Sequence, residues 1–145
     1  MSRNKPLKAS SRNKETREAK SRQEQDNHIA ISFRYFQNFD NNPIQSLQNW
    51  NEDNRLLDML LSFEYICKNN IVKLQSTDRK LTLYGDFPNT KVNDFPLPDE
   101  LNENENWGTI RNIGGQKARI AGFLRDNIFY IVYLDKEHRF YKSEK

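Results

Sequence analysis

At 145 residues, with 35% hydrophobic and 30% charged side chains, the chain has room for one domain, or two at most, and for one modest core. An aromatic share of 12% excludes disorder throughout, since disordered chains are poor in aromatic residues. A lone cysteine, Cys67, excludes an intrachain disulfide, and with His28 and His138 the only histidines, neither a zinc site nor any other metal or cofactor is expected.

The charge is lopsided. Residues 1–27 hold eight Lys or Arg against four Asp or Glu, a net +4 in a chain of net +3, so the remainder is close to neutral. That segment is almost free of apolar side chains and cannot bury enough surface to offset the entropy of ordering. The expected organisation is therefore a disordered basic arm at 1–28 and one α+β domain at 29–145. A basic arm suits a polyanion, because Lys and Arg that neutralise phosphates release counterions. A purely solvating tail is the plainer reading, favoured by the interruptions at Glu15, Glu18 and Glu24. No stretch approaches the ~20 apolar residues that span a bilayer, and no apolar segment of a secretion signal is present. Both absences point to a cytoplasmic protein without membrane contact.

Order is expected from Ile29. Residues 29–36 are β-branched and aromatic, with Ile29, Ile31, Phe33 and Tyr35 alternating onto one face of a strand. Asn42-Pro43 offers a cap and a first-turn proline, and Ile44, Leu47 and Trp50 follow at threefold spacing for a short amphipathic helix. A second cap at Asn51 or Asp53 opens the strongest helix. Its stripe of Leu56, Leu57, Met59, Leu60, Leu61, Phe63, Ile66 and Cys67 is expected in the core, with Leu60 buried and Asp58 on the polar side. Residues 71–74 and 81–84 are short strands or irregular. The prolines of 86–105 mark a long loop, and loops of that length in compact domains are functional or mobile. Three strands close the chain at 107–113, 118–125 and 128–135, the last two joined by the two-residue turn Asp126-Asn127. The expected fold is an antiparallel meander with helices on one face.

A two-residue turn fixes hairpin register. Counting back from it sets Phe123 opposite Tyr130, Ala121 opposite Val132 and Arg119 opposite Leu134. Lys117, Arg119, Lys136, His138 and Arg139 should then converge at one edge of the sheet. Such a cluster suits phosphoryl chemistry. His138 titrates near neutral pH and can move a proton, guanidinium forks grip phosphate oxygens, and Tyr141, Tyr133 or Tyr35 can stack on a base. A solvated strand end that discourages edge-to-edge pairing would look much the same.

The run from Arg119 through Gly122-Phe123-Leu124-Arg125-Asp126-Asn127 and the apolar strand 128–135 to His138-Arg139-Phe140-Tyr141 resembles the C-terminal hairpin of RelE/ParE-superfamily toxins. The order of elements before it, one strand and then helices, resembles that family too. The resemblance implies a compact RelE-like domain whose RelE-type members cut mRNA without a metal, commonly on the ribosome, and are neutralised by a cognate antitoxin protein. ParE-type members inhibit DNA gyrase instead. Carried over by position, it implies a catalytic group of Arg119, His138, Arg139 and Tyr141, with Lys117, Lys136, Tyr133 and Arg34 as nucleic-acid contacts. The expectation is thus an endoribonuclease toxin that inhibits growth. The alternatives are a non-enzymatic module that inhibits a host protein, gyrase-like or other, and a nucleic-acid-binding accessory protein. The basic arm, the long loop and the near-neutral domain depart from the family's pattern.

Overall fold

The computed structural model describes residues 28–142, together with Arg17. The expectation of a disordered arm at 1–28 lies outside the described residues apart from Arg17 and His28, and His28 forms an isolated bridge with Asn70. The elements are β1 (Ala30–Ser32), α1 (Leu47–Glu52), α2 (Leu56–Lys68), a π-helical turn (Lys73–Thr77), β2 (Leu81–Gly85), β3 (Asn106–Ile110), β4 (Arg119–Arg125) and β5 (Ile128–Asp135). The fold is α+β. Five strands form one sheet in the order β1-β5-β4-β3-β2. Strands β3 to β5 are the expected antiparallel meander, β2 extends it by pairing antiparallel with β3, and β1 joins β5 in parallel, so the sheet is mixed. Among the described residues no helix is long and apolar enough to cross a membrane.

Asp126 and Asn127, at φ 51° and 65°, make the tight turn between β4 and β5, in the left-handed region that Asn and Asp tolerate best. Phe123 pairs with Tyr130 as counted. Beyond that point the register slips. A β-bulge puts Ala121 opposite Tyr133 and Gly122 opposite Ile131, so Val132 is the extra residue and Arg119 faces Asp135 rather than Leu134. A Cβ at Gly122 would run into the Tyr130 carbonyl, which makes glycine the residue that lets the strands close up beside the bulge. The consequence is that Val132 and Tyr133 both join the same core cluster, while Ile131 and Leu134 join the opposite one.

The two faces of the sheet are covered differently. One packs against α2 and the π-helical turn through Ile110, Ile120, Ile131 and Leu134 with Met59, Ile66 and Leu74. The other is covered by the 86–105 loop and the chain after β5, through Trp107, Phe123, Tyr133 and Phe140 with Phe87, Phe95 and Leu101. The long loop is therefore a structural layer. Buried Asn93 braces it by donating to the Phe95 carbonyl and accepting from the Phe95 N–H, at 2.8 and 2.9 Å.

Several local expectations are corrected. The first strand stops at Ser32, so Phe33 is 45% exposed and Tyr35 turns to the loop-covered face. Asn42-Pro43 is a cis peptide within a turn closed by Asn41 and Ile44, and the cap of α1 is Ser46, whose hydroxyl accepts from Asn49 N. Asp53 ends α1; Arg55 precedes α2 and gives no side-chain cap. On α2 the buried residues are Met59, Ser62, Phe63 and Ile66, while Leu57, Leu60 and Leu61 stand 67%, 57% and 52% exposed. Cys67 is exposed and Asp58 half-buried. The expected apolar stripe was wider than one sheet face can cover, and packing selected the arc through 59, 63 and 66.

Candidate active site

At the end of β4 where β5 exits, the loop layer stops short of the edge of the sheet and leaves a cleft of about 700 Å³. Thr82 and Tyr84 of β2, Arg111 just after β3, Arg119 of β4, and His138, Tyr141 and Lys142 after β5 line it. Alternation along the strands explains the convergence. Trp107, Thr109 and Arg111 share a face, and the pairing of Ile110 with Ile120 brings Arg111 beside Arg119.

Arg119 is more than nine-tenths buried, and its Nε, like that of Arg111, is buried without a hydrogen-bond partner. Burial and the charge of Arg111 hold its pKa down, against the pull of Tyr84 and Asp135. Asp135 is its partner across the hairpin, but the Asp135 oxygens are otherwise engaged. They accept from the backbone N–H groups of Arg139 and Phe140, at 2.9 Å, and so hold the turn that follows β5. Burial pushes the Asp135 carboxyl up, and those N–H groups, with that of Glu137 and the charge of Arg119, pull it back. Two guanidinium groups thus line one cleft, each with its buried Nε unpartnered. Among the described residues neither has an ion-pair partner.

That turn presents His138 and Tyr141, both in the left-handed region at φ 56° and 55°. Such a backbone is uncommon for a bulky residue and persists only where surroundings hold it. Here the Tyr141 ring stacks on Tyr84, with centroids 3.8 Å apart and planes 8° from parallel. The Tyr141 carbonyl lies 3.2 Å from His138 Nε2. Burial pushes the His138 pKa below its ordinary value, and Arg119 and, more weakly, Arg111 push it further, against the Tyr141 carbonyl. These surroundings favour the neutral imidazole of His138 beside two cations, the form that can take up a proton.

Of the four residues expected to be catalytic, Arg119, His138 and Tyr141 line the cleft. Arg139 does not. Its Nε donates to Asp94 at 2.8 Å and its Nη1 to Asn42 at 2.6 Å, which ties the terminal segment to the loop and to the turn before α1. The four expected nucleic-acid contacts also lie elsewhere. Lys117 pairs with Glu137 and Lys136 with Asp53. Tyr133 is buried in the loop-side core, where its hydroxyl donates to the Pro96 carbonyl and burial pushes its pKa up. Arg34 lies over the Tyr35 ring. For Tyr133, Lys136 and Arg139 register explains the difference, because the bulge redirects the residues beyond Val132.

Sequence reasoning missed Arg111, Tyr84 and Lys142. Arg111 was legible in principle, two positions beyond Thr109 in a strand whose alternate residues point the same way. Tyr84 was hidden because 81–84 carried no clear strand pattern. Lys142 reaches the cleft with its Nζ 2.9 Å from Asp94. Among the described residues no three His, Cys, Asp or Glu side chains group as a metal-ligand set. No protein-family model, curated protein or solved structure matches this chain.

Proposed function

We propose that the cleft binds a phosphodiester of RNA and that the protein is a metal-independent endoribonuclease. The observation that carries this reading is Arg119, buried with its Nε unpartnered, lining one cleft with Arg111 and His138. A buried, unsatisfied guanidinium is costly to keep, and an anion with several oxygens is the ligand that satisfies it. In the proposed reaction His138 takes the proton of a ribose 2′-hydroxyl as its oxygen attacks the adjacent phosphorus. The bond to the 5′-oxygen breaks, leaving a 2′,3′-cyclic phosphate on one product and a 5′-hydroxyl on the other. Arg119 and Arg111 stabilise the charge that gathers on the equatorial oxygens. The hydroxyls of Tyr84 and Tyr141 and the ammonium of Lys142 are the nearby groups that can return a proton to the leaving oxygen. The open face of the tyrosine stack suits a base.

The resemblance of the terminal hairpin to RelE-type toxins agrees with this chemistry. It adds the proposal of a growth-inhibiting toxin held in check by an antitoxin protein. The exposed row Leu57, Leu60 and Leu61 on α2 favours the rival reading, a module that acts by binding another protein. One assay separates the two. Purified protein incubated with RNA in EDTA should yield fragments ending in cyclic phosphate. Arg119→Ala and His138→Ala should each abolish them while circular dichroism shows an intact fold. The double variant should lose little more than either single one, since groups acting as a unit are strongly non-additive. A folded His138→Ala protein that cleaves at the full rate overturns the mechanism, and a folded wild type that yields no product favours the binding module.

A further inference from the structure

Next to the cleft, a second hollow of about 380 Å³ is lined by Gln75, Arg79, Leu81, Thr82, Leu83 and Arg111. Thr82 and Arg111 line both spaces, so the two share a wall. The hollow lies along β2, which is an edge strand of the sheet, so backbone polar groups on its outer side are open to a ligand. Arg79 in its lining is exposed and at φ 53°.

The arginines divide into two sets. Arg55, Arg125 and Arg139 each reach a carboxylate, and Arg34 lies over an aromatic ring. Among the described residues from 28 onward, Arg79, Arg111 and Arg119 are the arginines with neither kind of partner. They line two adjoining spaces, Arg119 the cleft, Arg111 both and Arg79 the second hollow. Unpaired guanidinium groups in adjoining spaces match the repeating phosphates of a single strand, and a compact anion would need only the first two. The crossing point is polar rather than apolar, with the Thr82 side chain beside Arg111.

We infer that a single-stranded RNA bound in the cleft continues across Thr82 and Arg111 into the hollow along β2, where Arg79 holds a phosphate one or more nucleotides from the scissile one. This rests on the reading of the cleft as an RNA site. The protein therefore recognises a run of single strand rather than an isolated dinucleotide.

The test uses 2′-O-methyl RNA, which cannot be cleaved, as a dinucleotide and as a decanucleotide, with affinity measured by titration at several salt concentrations. Wild type should bind the decanucleotide more tightly. Arg79→Ala should lower the ratio of decanucleotide to dinucleotide affinity several-fold. It should also make the slope of log affinity against log salt shallower by about 0.7, the value for one phosphate of a single strand no longer neutralised by the protein. Arg34→Ala, which removes the same charge away from both spaces, should leave that ratio as it is. Equal ratios for wild type and Arg79→Ala, or equal losses in Arg79→Ala and Arg34→Ala, overturn the extended track while leaving the cleft intact. Wild type that binds neither oligonucleotide overturns the cleft itself and the track with it.

Discussion

One face of the sheet is covered by helix and the other by loop, and the two cores differ in kind. Beneath α2 the contacts are largely aliphatic, Ile120, Ile131 and Leu134 against Met59 and Ile66, with Trp50, Phe63 and Phe129 as the aromatic members. Beneath the 86–105 loop they are aromatic. Phe95 lies 4.7 Å from Tyr133, Phe87 lies 4.8 Å from Trp107 and 5.6 Å from Phe140, and Trp107 lies 5.1 Å from Phe123, between ring centroids. A helix satisfies its own backbone and offers a periodic face, so modest side chains suffice. A loop offers no period, and its layer depends on a few large rings that each bury much area, together with polar ties such as Asn93 and the Asp94–Arg139 pair. The contrast explains where the cleft lies. The irregular layer ends where its anchors end, and at that margin the cleft lined by Thr82, Arg111 and Arg119 opens.

The comparison can be broken most directly in the loop-side core. Phe140→Ala should cost about 3–5 kcal/mol in chemical denaturation, comparable with the ~2–5 kcal/mol expected for Ile120→Ala on the helix side. Phe140 is fully buried against Phe87, Phe95 and Trp107. A loss below about 1 kcal/mol would mean that the loop layer rests on the sheet without forming a core.

A smaller effect comes from pH. His138 has a folded-state pKa below its ordinary 6.5, so the neutral form is favoured by folding. Its contribution to stability is present above that value and is lost as pH falls through the lowered pKa. The acid limb of kcat/KM should likewise lie below pH 6.5, where His138 gains its proton. Arg111→Ala removes one of the repelling charges and should raise the His138 midpoint, read by NMR titration of the ring, without restoring the ordinary value, because burial is the larger cause. An unchanged midpoint would show that Arg111 does not face His138.

The smallest effect marks the outer side of the helical layer. Leu60→Ala should change stability by about 0.5 kcal/mol or less, because the side chain is 57% exposed. A loss of several kcal/mol would restore Leu60 to the core, as the apolar periodicity of the helix by itself implies, and would move the apolar face of α2.

The α+β class, the antiparallel order of β3 to β5, the position of α2 and the turn at Asp126-Asn127 were legible in the sequence. Each rests on a local signal, whether an alternation of apolar residues, a helical period or a residue type that tolerates positive φ. The convergence of Arg119 with His138 was also legible, since a tight hairpin and a short exit leave those two residues few places to go. What lay beyond the sequence depended on contacts between distant segments. Eight apolar positions on α2 admitted several buried faces, and only the width of the sheet chose Met59, Phe63 and Ile66. The parallel pairing of β1, the bulge at Val132 and the use of the 86–105 loop as a second layer were decided by packing across the sheet. Those same choices drew Arg139, Lys136 and Tyr133 into structural roles and brought Arg111 and Tyr84, 27 residues apart in the chain, to one cleft. Local chemistry named the elements and three of the site residues, Arg119, His138 and Tyr141; the fit of one layer against another decided which side chains share a space.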